Sequence, residues 1–131
     1  MKNTILKLSE YVYYFSLFVL PIMYFFPGSL IGYLLYGNLG QQPNLIDSPI
    51  GTSINHLIFF SYITILAIIV RLRSKNNITN YKFILFISVI LEISHLIIPN
   101  RAFELNDLIA NITGVVIVIL INNFTKWQKY L

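Results

Sequence analysis

The stretch LEISHLIIPNRAFELNDLIANITG, Leu91 to Gly114, sets Glu92, His95, Arg101, Glu104, Asp107 and Asn111 between flanks apolar enough to sit in lipid. Carboxylates beside a histidine suit general acid–base work, and a planar guanidinium suits a phosphate or carboxylate. Glu92 and His95 are three apart and share a helix face, with Pro99 on the same stripe. Asp107, Asn111 and Gly114, four and three apart, share a second face. His56 stands at the start of another apolar segment. Asp47, Glu92, Glu104 and Asp107 set four carboxylates against one guanidinium. Crowded carboxylates in a low dielectric do not all stay ionised: one takes a proton, or a cation joins them. A protonated Glu92 is a general acid, and a divalent cation bridges carboxylates to phosphate.

The candidate catalytic residues are therefore Glu92, Asp107, His95 and His56, with Arg101 and Asn111 as candidate substrate-binding groups. Pro99 and Gly114 are structural candidates, Gly114 because a glycine lets a second helix come close. Plainer readings stand beside these. Glu92 can simply pair with Arg101 or His95, and Asp107 and Asn111 can be interhelical contacts worth about 0.6 kcal/mol each. Glu104 suits the first turn of a helix, and Asp47 suits a solvated loop. No HExxH or GxSxG motif is present, and there is no cysteine, which excludes disulfides and thiolate catalysis.

The elements that must position these residues lie in lipid. Hydrophobic residues make up 56% of the 131 positions and charged residues 11%. Soluble domains carry about a quarter charged residues, so the composition is that of a membrane protein. The length fits a single domain over residues 1–131. Four apolar segments, Leu8–Phe26, Ser53–Val70, Phe83–Pro99 and Leu105–Phe124, approach the roughly 17–25 residues a spanning helix needs. The expected class is all-α and polytopic, with four transmembrane helices. Lys2 and Lys7 before the first segment resemble a signal sequence, but no small-residue cleavage site follows and a retained span is expected.

Lys2, Lys7, Arg71, Arg73, Lys75, Lys82, Lys126 and Lys129 fall on one side of such a bundle and only Arg101 on the other. The positive-inside rule then puts both termini in the cytoplasm, with Tyr81, Trp127 and Tyr130 in the inner aromatic belt. The net charge of +4 is thereby a topology signal and calls for no nucleic acid. Of the acids, only Glu10 lies near the cytoplasm. The long first outer loop, residues 27–52, contains LIGYLLY, too short to cross and expected to re-enter or lie in the interface. Gly28 and Gly32 there have GxxxG spacing, read as part of a turn after Pro27. A short connection, 100–104, makes the third and fourth spans an antiparallel hairpin that brings Glu92 toward Asp107 or Asn111, with Glu92 about 10 Å below Pro99 along its helix.

The run from Glu92 to Gly114 resembles the closing motif of the VanZ-like family of small bacterial membrane proteins. That motif reads Glu, Gln three later, Pro and Arg, Asp, then Asn and Gly. Glu92, Pro99, Arg101, Asp107, Asn111 and Gly114 match it; His95 stands in place of the Gln and Glu104 in place of an Asp. The family's His before the preceding span looks like His56, while the acidic–basic pair that precedes it is represented only by the distant Asp47. The resemblance covers roughly Asp47 to Gly114 and implies a multi-pass protein of the bacterial cytoplasmic membrane, associated with low-level resistance to the glycopeptide teicoplanin.

Two functions follow as expectations. One is binding or modification of a cell-envelope lipid or lipid-linked precursor at an outward-facing site, with a divalent cation as the cofactor to consider. The other is a non-catalytic membrane subunit whose polar cluster is structural. Ion or proton transport would need charged residues deep in the inner half, which the sequence lacks. The topology makes its own prediction: a unique cysteine at Asn44 reacts with an impermeant thiol reagent in intact cells. Labelling at Asn76 instead would invert the orientation.

Overall fold

The computed structural model describes residues 2–74 and 76–127. Lys75, Lys129 and Tyr130, part of the expected inner-face pattern, lie outside them, as does the side chain of Trp127. Five helices follow one another: α1 Lys2–Phe25, α2 Leu30–Tyr36, α3 Gly51–Arg71, α4 Tyr81–Ser94 and α5 Leu105–Trp127. No strand occurs among the described residues, so the chain is all-α. Three helical stretches, Asn3–Phe25, Gly51–Arg71 and Leu105–Thr125, are long and apolar enough to cross a membrane. Phe15, Phe18, Phe86, Leu120 and Phe124 stand exposed on the long helices and α4, the surface a protein turns toward lipid.

The element that departs from expectation is α4. The apolar run continues to Pro99, but the helix stops at Ser94 after 14 residues, about 21 Å. Asn80 caps its start by accepting the Lys82 N–H. At its end the amides of His95, Leu96 and Ile97 bond to carbonyls only three residues back, tightening the chain into turns. Pro99 then offers no N–H to continue a helix, and Asn100 turns back in the left-handed region at φ 58°. Pro99 is thus exposed and off the Glu92–His95 stripe, a correction to its expected place. Glu92 sits in the last turn of α4 rather than well below the end of a longer helix.

α3 and α5 pack most closely, α1 lies against α3, and α4 against α5. The approach of α3 and α5 depends on Gly114, where an added Cβ would lie 2.5 Å from the Leu57 carbonyl oxygen. Ser61 uses that closeness to donate to the Gly114 carbonyl at 3.2 Å. Tyr13, Phe60, Ile63, Val70, Ile84 and Val115 fill the core between helices. At the far end from Glu92, Tyr13 donates to the Ile78 carbonyl at 2.7 Å and Asn76 to the Tyr14 hydroxyl at 2.9 Å. Glu10 pairs there with Arg73 at 3.3 Å, clamping the α3–α4 turn onto α1.

α2 is the LIGYLLY segment, capped by the Ser29 side chain and ended by Gly37 in the left-handed region. Its seven residues do not cross a bilayer, and Leu34 and Leu35 remain exposed. Gly28, at φ 89°, and Gly32 both lie against the returning 39–41 backbone, so their spacing serves this loop. Gly114→Val should lower thermal stability by about 1–3 kcal/mol, because α3 must shift to admit the side chain. Thermal unfolding in detergent micelles reads this out.

Candidate functional site

The candidate residues converge where α1, α3, α4 and α5 meet. Asn111, fully buried on α5, donates from Nδ2 to the Ser88 carbonyl of α4 at 3.2 Å. That bond turns its oxygen toward α3, where Oδ1 lies 3.0 Å from His56 Nδ1. An amide oxygen only accepts, so His56 carries a proton on Nδ1. The Tyr24 hydroxyl of α1 lies 2.9 Å from the same Nδ1 and 3.5 Å from Asn111 Oδ1.

Two carboxylates flank His56. Asp107, one turn before Asn111 on α5, places Oδ2 3.5 Å from His56 Nε2. Its other oxygen accepts the Ser53 hydroxyl at 2.5 Å. Glu92 sets Oε2 3.8 Å from His56 Nδ1 and Oε1 3.3 Å from His95 Nδ1. Oε1 also accepts the Glu104 amide at 3.4 Å. With Glu92 ionised, His95 Nδ1 is the donor to Oε1. The His95 ring stacks on Tyr24 with centroids 5.1 Å apart and planes 15° apart.

Glu92 is fully buried and His95 nearly so. Among the described residues, Glu92 Oε2 and His95 Nε2 are buried without a hydrogen-bond partner. A buried polar group of this kind is rare in a folded protein, and it clusters here at two atoms of one pair.

The expected hairpin contact takes a particular form: Glu92 and the α5 residues Asp107 and Asn111 meet through His56, which lies between them. Arg101 hydrogen-bonds to backbone carbonyls and not to the carboxylates. Its Nη2 donates to the Met23 carbonyl at 2.7 Å and its Nε to the Phe26 carbonyl at 3.3 Å, capping the C-terminal end of α1. Burial pulls the guanidinium below its ordinary pKa, with the nearby Glu92 acting the other way. Glu104 contributes its backbone while its side chain is exposed, and Asp47 is exposed in the first loop.

Two contributors had no place in the sequence reading. Ser53 precedes His56 by three and shares its face, a spacing that points to it. Tyr24 has no such signal among nine tyrosines.

Beside the cluster opens a cleft of about 740 Å³ between α1, the first loop and α3. Phe15, Val19, Leu20, Ile58 and Phe59 make its long apolar wall; Tyr24, His56, His95 and Arg101 lie at its polar end. The volume is within the range of small-molecule sites. Chemically, His56 with Asp107 and His95 with Glu92 are two imidazole–carboxylate pairs suited to holding or moving a proton. Ser53 donates to Asp107 and not to a histidine, so it forms no serine–histidine pair. Among the described residues no three His, Asp or Glu side chains are grouped so as to hold a metal ion.

Comparison of the chain with protein-family models, curated protein sequences and solved structures found no match. Asn111→Ala should destabilise the fold by about 1–3 kcal/mol, since it removes the bonds that tie α5 to the Ser88 carbonyl of α4 and to His56 of α3. Tyr24→Phe, which leaves the Asn111–His56 bond in place, should cost about 1 kcal/mol or less. Thermal unfolding of both variants, side by side, checks the ordering.

Proposed function

We propose that this chain is a VanZ-like protein of the bacterial cytoplasmic membrane that binds or modifies a cell-envelope lipid or lipid-linked precursor. In this reading it has four spans, α4 with its following turn being the third, and both termini face the cytoplasm. The distribution of basic residues supports that orientation, and the Glu92–Pro99–Arg101–Asp107–Asn111–Gly114 pattern supports the family. His56, the counterpart of the family's histidine, touches Asn111 and stands between Glu92 and Asp107, which adds to the resemblance.

The observation that carries the ligand is the cleft: apolar along its length, polar at one end, and backed there by buried carboxylates. An apolar chain suits the first part and a headgroup the second. Arg101 spends Nε and Nη2 on α1 carbonyls, and Nη1 is left for an anionic oxygen. If the site is catalytic, Glu92 or Asp107 is its acid or base, assisted by His95 or His56. A bound divalent cation would add Lewis-acid chemistry to these carboxylates.

A second reading rests on a different observation. The Asn111 contacts join α1, α3, α4 and α5, as a purely structural core would require. The chain is then a non-catalytic interaction or assembly subunit.

Native mass spectrometry of the purified protein beside Glu92→Gln and Arg101→Ala separates the readings. The lipid-site reading expects a defined lipid that co-purifies with the wild type and is lost from Arg101→Ala. Accumulation of unaltered lipid on Glu92→Gln would mark chemistry; an identical bound lipid would mark binding alone. No lipid in any of the three proteins favours the structural subunit.

A further inference from the structure

At the polar end of the cleft His95 Nδ1 faces Glu92 Oε1 at 3.3 Å, so an ionised Glu92 draws the ring proton to Nδ1 and leaves Nε2 as an acceptor. Glu92 Oε2 and His95 Nε2 have no donor among the described residues, and both lie on side chains at least nine-tenths buried. Ser53 donates to Asp107 Oδ1 and Tyr24 lies at Asn111 and His56, so neither answers them, while Arg101 keeps Nη1 free at the cleft. A partner that brings N–H donors would complete both atoms.

We infer that the cleft binds a zwitterionic phospholipid whose primary ammonium docks at His95, which Glu92 backs, its phosphate at Arg101 and its acyl chain along α1 and α3. This rests on the lipid-site reading above and narrows it to a substrate class. The two head subsites lie within one turn of α1: Arg101 grips the Met23 and Phe26 carbonyls, and the intervening Tyr24 stacks on His95. Phosphate and ammonium of an ethanolamine head are separated by two carbons, which suits adjacent subsites. An ammonium has three N–H donors and no acceptor, the complement of imidazole nitrogens and carboxylate oxygens.

The test is a titration of the full-length protein in non-ionic detergent with three lipids of identical short tails. These are phosphatidylethanolamine, phosphatidylcholine and phosphatidylglycerol. Phosphatidylethanolamine should bind at least about tenfold more tightly than phosphatidylcholine, whose methylated head has no N–H. His95→Leu and Glu92→Gln, checked for monodispersity, should bring that ratio to within about twofold. Arg101→Gln should weaken all three lipids alike. The wild-type comparison needs no variant, so a misfolded variant leaves the inference exposed to refutation.

Equal binding of the ethanolamine and choline lipids, both weakened by Arg101→Gln, overturns the ammonium subsite and leaves the lipid site standing. Tightest binding of phosphatidylglycerol overturns it in favour of an anionic head. Absence of binding by all three sinks both this inference and the lipid-site reading. A stoichiometric zinc ion that abolishes the ethanolamine preference would reassign the histidines to a metal.

Discussion

The hydrogen bond from His56 Nδ1 to the Asn111 side-chain oxygen, 3.0 Å long, is where the helices of this protein are joined. Asn111 reaches α4 through Ser88, His56 reaches α1 through Tyr24, and the bond between them spans α3 and α5. In lipid there is no hydrophobic force to press one apolar helix on another, so close packing and such polar contacts must supply the association. Gly114 brings α3 and α5 together three residues further along, and the Asn111 contact fixes their register. The conformation of His56, and through it the spacing of Glu92 and Asp107, follows from that one amide.

The same cluster holds two opposed demands. Burying a carboxylate such as Glu92 in an apolar setting is unfavourable by about 2.5–3.5 kcal/mol on insertion scales when it lies at a helix centre. The Glu104 amide and His95 offset part of this by bonding Oε1. Oε2 receives no such help among the described residues. A core selected only for helix association would satisfy both oxygens, or dispense with the acid. The half-satisfied pair at the end of a cleft therefore fits a site that is completed by something other than the chain.

The long helices were legible in the sequence because uninterrupted apolar runs of about 20 residues have few alternatives in lipid. α1 reached back to Lys2, beyond the apolar limit at Leu8, because its first turns need only be helical, not buried. The end of α4 was misjudged, since Leu96–Pro99 is as apolar as the helix before it and hydropathy carries no record of backbone turns. The site fared likewise. Charged and amide residues in a membrane-grade segment announced themselves, and His56, His95, Glu92, Asp107 and Asn111 do meet. Tyr24 did not, because an aromatic residue near a membrane boundary is commonplace and only tertiary packing gives this one its two histidine partners. The type of Arg101 suits a ligand-binding fork, while its two bonds to α1 carbonyls depend on where α1 ends in space, which no local pattern encodes.

The brevity of α4 has a consequence for the surrounding bilayer. If α4 with its following turn is the third crossing, its helix falls several ångströms short of the hydrocarbon thickness, and the deficit lies at the His95 end. Hydrophobic mismatch of this sign is relieved by local thinning of the membrane. The leaflet on that side would then dip beside the mouth of the cleft, and headgroups would descend toward the depth of Glu92 and His95. A lipid would enter sideways, by diffusion within its own leaflet, its polar end already at the height of the histidines and its tails never leaving hydrocarbon.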